Sequence, residues 1–279
     1  MIIIGVDAAW SESHPSGIAV LDIGGSKPAL IDVARSYYEF EHCCVRRTID
    51  WTTKPVIGKI SLKTLIEVTL ARRPSSQIAV IAVDMPLSYQ PIIGRRVSDN
   101  FLSLRYGSKW ASTHTPTAQH PGKISDDFML EALELGYPLA TKNIQPESPC
   151  LIEVYPHPAI IELMGLDKRL PYKVAKRKSY NKHHAPPLTV DQEWACLLSA
   201  QDRLYDALCM QIDEIDGFIN RPSSIIETYG RTAAKPVEDM LDAIICCWVG
   251  YCFFKGNIES FGDDTSAIWV PVADTAVAG

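Results

Sequence analysis

Apolar residues along the chain fall into short runs divided by turn-forming clusters, and the runs differ in period. Ile2-Ile3-Ile4-Gly5-Val6-Asp7 is continuously apolar up to its carboxylate, the pattern of a strand covered on both faces. After a turn over 11–16, Gly17 to Leu21 reads as a second strand, close enough to the first for an antiparallel hairpin. Gly24-Gly25 marks another turn, and a third strand is expected within Ala29 to Phe40. The period then switches. From Ser61 to Arg73, Leu62, Leu65, Ile66, Thr69 and Leu70 share one helical face, and Pro74 stops the helix. Gln77 to Asp84 is again apolar up to a closing carboxylate, which predicts a strand joined to the same sheet by a right-handed crossover. The opening order is β-β-β-α-β.

From Met85 to Cys150 the texture changes, because Pro86, Pro91, Pro116, Pro121, Pro138, Pro146 and Pro149 interrupt it. Two short helices are expected there, near Val97 to Tyr106 and Asp126 to Leu135. Leu151 to Tyr155 predicts a strand and Ala159 to Met164 a short helix. Asp167 to His184 is basic and expected to be exposed. Val190 to Ile215 predicts a long amphipathic helix with Trp194, Leu197, Leu198, Leu204 and Leu208 inward. Ser224 to Glu227 reads as a strand, Pro236 to Phe254 as the final helix and Ala267 to Val270 as a last strand. The whole is an α/β chain forming one domain over 1–279, with a Pro-rich insertion at 86–150 and a basic, helical one at 158–222.

Composition narrows the picture. Of 279 residues, 47% are apolar and 22% charged, enough apolar surface to exclude disorder over most of the length. The formal net charge is −6, so any affinity for a polyanion must come from a local basic patch or bound metal. The N-terminus lacks the basic region and cleavage site of a signal peptide. The longest apolar run, Ala243 to Phe254, falls short of the roughly 20 residues of a membrane span. The 8 cysteines form no CxxC, so reduced thiols, a cytoplasmic location and no zinc site are expected.

Acids stand where the core should be. Asp7 and Asp84 close the first and fourth strands. Glu153 lies inside the apolar strand after residue 150, and Glu238, Asp239 and Asp242 share one face of the last helix. If the first and fourth strands are parallel neighbours, Asp7 and Asp84 end about 5 Å apart. They then repel by roughly 3 kcal/mol at an effective dielectric of 20. A shared proton or a bound divalent cation relieves such repulsion, and an all-oxygen donor set favours Mg²⁺ or Mn²⁺. Two ions about 4 Å apart can clamp a phosphodiester. Taken singly, each acid also has a plain structural use: Asp7 or Asp84 as a turn former, Glu153 in an ion pair, Asp239 as a helix N-terminal charge.

Four short motifs occur in order: Gly5-Val6-Asp7-Ala8-Ala9-Trp10, Ala82-Val83-Asp84-Met85-Pro86-Leu87, Glu153-Val154-Tyr155-Pro156-His157-Pro158 and Glu238-Asp239-Met240-Leu241-Asp242-Ala243. With Arg95-Arg96 through Asp99, Tyr106-Gly107 and His114-Thr115-Pro116 between them, they resemble the family termed domain of unknown function 429. Its members are taken to be nucleases of the RNase H-like superfamily. The resemblance implies a mixed sheet, three antiparallel strands followed by parallel ones. It also implies metal-binding acids on the first strand, the fourth strand and the last helix, matching Asp7, Asp84, and Asp239 or Asp242. Glu153 matches as a further ligand or water-orienting base. Ala8-Ala9-Trp10 departs from the small residues usual after the first acid.

The expected activity is phosphodiester hydrolysis on DNA or RNA with Mg²⁺ or Mn²⁺. Asp7 bridges two ions, Asp84 and Asp242 each hold one, and Glu153 and Asp239 rank second. Arg95, Arg96 and Lys173 are expected at phosphates and His157 as a proton shuttle. The basic segment 167–184, with Tyr172 and Tyr180 among its cations, suits a nucleic-acid backbone as well as it suits a solvated loop. His183 and His184, being adjacent, make poor joint ligands. Two alternatives stand beside this reading. One is a non-catalytic module binding nucleic acid or protein, with structural acids. The other is a relative of actin-type kinases and ATPases, which need a second such domain and glycine-rich phosphate loops not visible here.

Overall fold

The computed structural model describes residues 1–11, 13–45, 48–59, 61–144, 149–180, 182 and 185–272; His183, His184 and Pro146 lie outside these. β1 (Ile2–Asp7), β2 (Gly17–Asp22) and β3 (Ala29–Ala34) form an antiparallel meander. On the other side of β1, β4 (Ile78–Val83) and β5 (Cys150–Val154) pair in parallel. β7 (Ala267–Pro271) continues in parallel beside β5, and β6 (Ile258–Gly262) closes the edge as an antiparallel hairpin partner of β7. The seven-stranded order is β3-β2-β1-β4-β5-β7-β6.

Helices cover both faces. On one face α2 (Leu62–Arg72) and α4 (Lys123–Glu134) bury Leu62, Leu65 and Phe128 against Ile2, Ile4, Val6, Ile81 and Val83. On the other, α9 (Ala234–Lys255) lies along β1, β2 and β4. There Met240, Leu241, Ile244 and Cys247 join Ile3, Val80, Ala82, Ile152 and Val154 in a second core. α5 (Pro156–Met164), α7 (Val190–Gln211) and α8 (Pro222–Tyr229) extend that layer. The remaining helices are α1 (Tyr37–His42), α3 (Val97–Tyr106) and α6 (Arg177–Tyr180). Among the described residues no helix is long and apolar enough to cross a membrane.

Two glycines set how close α9 comes to the sheet. A Cβ on Gly5 would lie 2.3 Å from the Ala243 carbonyl oxygen, and one on Gly17 would lie 2.1 Å from that of Asp239. Any side chain at either position would lift the helix that carries the acids.

Most expected elements are present, and the exceptions have physical reasons. The third strand stops at Ala34 because the Ser36 hydroxyl caps α1, accepting the Glu39 N–H at 3.2 Å. Ser224 to Glu227 is helical rather than a strand, because Pro222 presets the first turn of α8. α7 ends at Gln211, and Ile212 is already extended. β6 was not foreseen: it is a half-exposed edge strand with little apolar signal. The described part of 167–184 is only partly exposed, since Leu170 and Tyr172 are buried within it. All 8 cysteines are free thiols, among them buried Cys150, Cys246 and Cys247.

Candidate metal centre

The alternation of side chains along the strands decides which carboxylates meet. β1 and β4 pair with Val6 opposite Val83, and the Asp84 N–H donates to the Val6 carbonyl at 2.9 Å. Asp7 and Asp84 therefore leave the sheet side by side. Val80 and Ala82 pack in the α9 core, and Gly5 abuts α9, so the next alternate positions, Asp84 and Asp7, face α9 as well. Glu153 is opposite Val83, whose side chain lies in the other core. It points to the other face of the sheet.

On the α9 face, Asp7, Asp239 and Asp242 each present a carboxylate oxygen within 4.8 Å of the others. Asp84 belongs with them electrostatically: desolvation holds its carboxyl well above the usual range, Asp7 and Asp242 raise it further, and Lys173 opposes them. Asp7 is pushed up to about 7, first by desolvation, with Lys173 and Lys235 pulling down and Asp239 and Glu238 pushing up. Desolvation also lifts Asp239 and Asp242 to about 6, opposed chiefly by Lys235 and Lys173 respectively.

Two ammonium groups enter the cluster. Lys173 Nζ is ion-paired with Asp242 Oδ2 and lies 3.6 Å from Glu238 Oε1. Lys235 Nζ is bonded to Asp239 Oδ1 and donates to Glu238 Oε1 at 2.8 Å. Tyr172 donates its hydroxyl to Asp242 Oδ1 at 2.5 Å, and the Val174 N–H donates to Glu238 Oε2 at 2.6 Å. Both Asp242 oxygens and both Glu238 oxygens are thus engaged. Asp7 and Asp84 differ: among the described residues, neither carboxylate accepts a hydrogen bond or forms an ion pair. Five carboxylates face two ammonium groups, a formal excess of three negative charges.

The other expected site residues are engaged outside this cluster, although Glu153 shares a small pocket with Asp84 and raises it a little further. Glu153 is buried and clamped by Arg96, with Nη1 to Oε2 at 2.6 Å and Nη2 to Oε1 at 2.7 Å. The Leu87 N–H donates to the same carboxylate at 2.8 Å. Burial pushes its carboxyl up to about 7, with Arg96 opposing. Asp99 holds the other side of the Arg96 guanidinium at 3.0 and 3.1 Å. Arg95 is exposed and spends its donors on Asn100, Ser103, Thr115 and the Asp99 carbonyl. His157 is buried edge-on to Tyr155 and Tyr172, with Nδ1 unpartnered. Burial, then Arg169 and Lys173, keep it well below the usual imidazole range, so it is neutral. Lys173 turns its ammonium onto the acids rather than outward.

Sequence reading gave no role to Lys235 or the Tyr172 hydroxyl. Lys235 was legible, standing three and four residues before Glu238 and Asp239 on one helical face. Tyr172 was not: it meets Asp242 across 70 positions of chain. Neither curated proteins nor solved structures contain a match to this chain. The family model described as "Protein of unknown function (DUF429)" matches residues 5–267, and the chain belongs to that family.

Proposed function

We propose that this centre binds a hard divalent cation, Mg²⁺ or Mn²⁺, and serves metal-dependent hydrolysis of a phosphodiester in nucleic acid. The observation that carries the reading is the pair of unpartnered carboxylates, Asp7 and Asp84, at adjacent strand ends beside the acids of α9. The donors fit such an ion: all are carboxylate oxygens, the hard ligands it prefers. They also repel one another where water is scarce, so a cation is the natural neutraliser. The order β3-β2-β1-β4-β5, with acids at the ends of β1 and β4 and on the last helix, supports an RNase H-like arrangement as part of the proposal.

Of the two ions expected from sequence, the geometry favours one. Asp7, Asp239 and Asp242, whose oxygens lie within 4.8 Å of one another, would hold it, with Asp84 at the neighbouring strand end as a further donor and with Tyr172 and Lys173 already engaging Asp242. The bound ion would supply charge neutralisation at a phosphoryl oxygen and lower the pKa of water. The chain's own groups do the rest. Lys235 holds Asp239 towards Asp7, while Lys173 and Tyr172 fix Asp242. Glu153 and Arg96 fix the turn after Asp84 through the Leu87 N–H.

Titration calorimetry with Mn²⁺ tests this. One saturable site per chain is expected, abolished in Asp84→Asn and Asp7→Asn, together with Mn²⁺-dependent cleavage of DNA or RNA that the same changes remove. A second reading has its own support, because Lys173, Lys235 and Arg96 already pair with most of the acids. On that reading the chain is a binding module with structural acids. Absence of saturable Mn²⁺ heat would establish the module and overturn the metal centre.

A further inference from the structure

A cleft of about 770 Å³ opens between the basic segment and α7, lined by Arg169, Lys176, Arg177, Tyr180 and Glu193, with Trp110 at its side. The basic segment is tied to the residue before Trp110 where the Arg169 N–H donates to the Lys109 carbonyl at 2.8 Å. Three features of this cleft bear on what it could take.

The first is Trp110. Its backbone sits at φ 64°, in the left-handed region that a bulky residue rarely adopts, and its side chain is 65% exposed. Observed strain of this kind marks places where the chain serves something other than its own stability. Lys168 Nζ stands over one face of the indole, 4.5 Å from its centroid, so a stacked base would take the opposite face of this exposed ring. The second is Arg169, whose guanidinium lies 6.0 Å from the Tyr180 ring centroid and whose Nε has no hydrogen bond of good geometry. Leaving such a group unsatisfied is unfavourable, and a ligand with acceptor oxygens would complete it. The third is charge. In a chain of net charge −6, this cleft gathers Arg169, Lys176 and Arg177 around one carboxylate, Glu193, which pairs with Arg177 at 3.1 Å.

The cleft also adjoins the acids. Pro171 lines it, and the next two residues, Tyr172 and Lys173, are those that hold Asp242. An aromatic platform, an unsatisfied donor and cations, next to a phosphodiester site, match one ligand chemistry. We propose that the cleft takes an unpaired nucleotide of the substrate strand, its base stacked on Trp110 and its phosphate against Arg169 and Lys176. The inference rests on the phosphodiester reading above and makes it specific: the substrate is single-stranded beside the cleavage point.

Fluorescence anisotropy with labelled oligothymidylate of ten nucleotides, without divalent cations, tests the cleft separately from the metal. Trp110→Gly removes the platform and relieves the backbone at φ 64°. It should weaken binding about tenfold, the loss expected for one stacked base, and leave affinity for a blunt duplex of the same length unchanged. Trp110→Phe should keep most of the affinity. Lys176→Gln should lower the slope of log affinity against log salt by about 0.7, one phosphate contact on a single strand. Mn²⁺ heats should be the same in all three variants and the parent. Equal binding by Trp110→Gly and parent, or an unchanged salt slope in Lys176→Gln, would overturn the inference. So would a parent that ignores the single strand, and then an Asp84-dependent Mn²⁺ heat would leave the metal centre standing.

Discussion

At the scale of single residues, the centre is an assembly of carboxylates that the fold makes hard to ionise. Asp7 is pushed up to about 7, Asp239 and Asp242 to about 6, and Asp84 well above its ordinary range; Glu153, outside the cluster, is also pushed up to about 7. A carboxyl with a raised folded-state pKa binds its proton more tightly folded than unfolded. Its stabilising effect is fully present below about pH 4 and is lost as pH rises through 6 and 7. The metal-free protein should therefore melt at a lower temperature at pH 7.5 than at pH 5.5. Differential scanning calorimetry in a chelating buffer would read the slope, and Asp7→Asn should flatten it. A cation needs the ionised acids, so Mn²⁺ affinity should rise over the same window. Lys173 makes a second residue-scale prediction. Its ammonium occupies the space between Asp242 and Glu238 that another ion would otherwise fill. Lys173→Met should raise the Mn²⁺ stoichiometry from one to two, read by calorimetry at pH 7.5; an unchanged stoichiometry would mean that the lysine only balances charge.

At the scale of elements, the geometry depends on how closely α9 lies on β1 and β2. Gly17 meets the Asp239 carbonyl itself, so Gly17→Ala must push the helix outward at the position where it carries Asp239. Overpacking of this kind costs about 1–3 kcal/mol, measurable by urea unfolding. The same change should weaken Mn²⁺ binding although no donor atom is altered, and a variant that loses stability but keeps its affinity would contradict this coupling. Much of this level was legible beforehand. Continuous apolar runs ending in Asp7 and Asp84, and spacings of three and four between Glu238, Asp239 and Asp242, are why the grouping of Asp7 with Asp239 and Asp242 was legible. Glu153 was different. Its type and neighbours suggested a ligand, but its face of the sheet depends on register against β4, which one strand's own pattern leaves open. Ser224 to Glu227 was equally ambiguous, four residues being too short to separate periods of 2 and 3.6.

At the scale of the whole molecule, the two faces of the sheet divide the work, and Glu153 marks the division. Arg96 stands at the start of α3 in the long 86–150 insertion, and its guanidinium spans Asp99 on its own helix and Glu153 in the middle of the sheet. With the Leu87 N–H bonded to the same carboxylate, this clamp fastens the insertion to the strand beside β4 and fixes the turn that follows Asp84. Breaking a buried pair from one side leaves an uncompensated charge, an effect of about 3–5 kcal/mol, here softened because Asp99 still faces Arg96. Glu153→Gln should accordingly destabilise the chain by about 3 kcal/mol. It should also speed amide exchange across 87–99 before other parts of the sheet. Its oxygens point away from the α9 face, so the Mn²⁺ affinity of the folded variant should stay within about twofold of the parent, the ordinary scatter for a residue outside the binding set. Leu87 is only three residues beyond Asp84, and any larger loss of affinity would have to reach the metal through that turn. Restoring the turn with an excluded osmolyte would then recover binding, whereas a lost ligand would not be recovered.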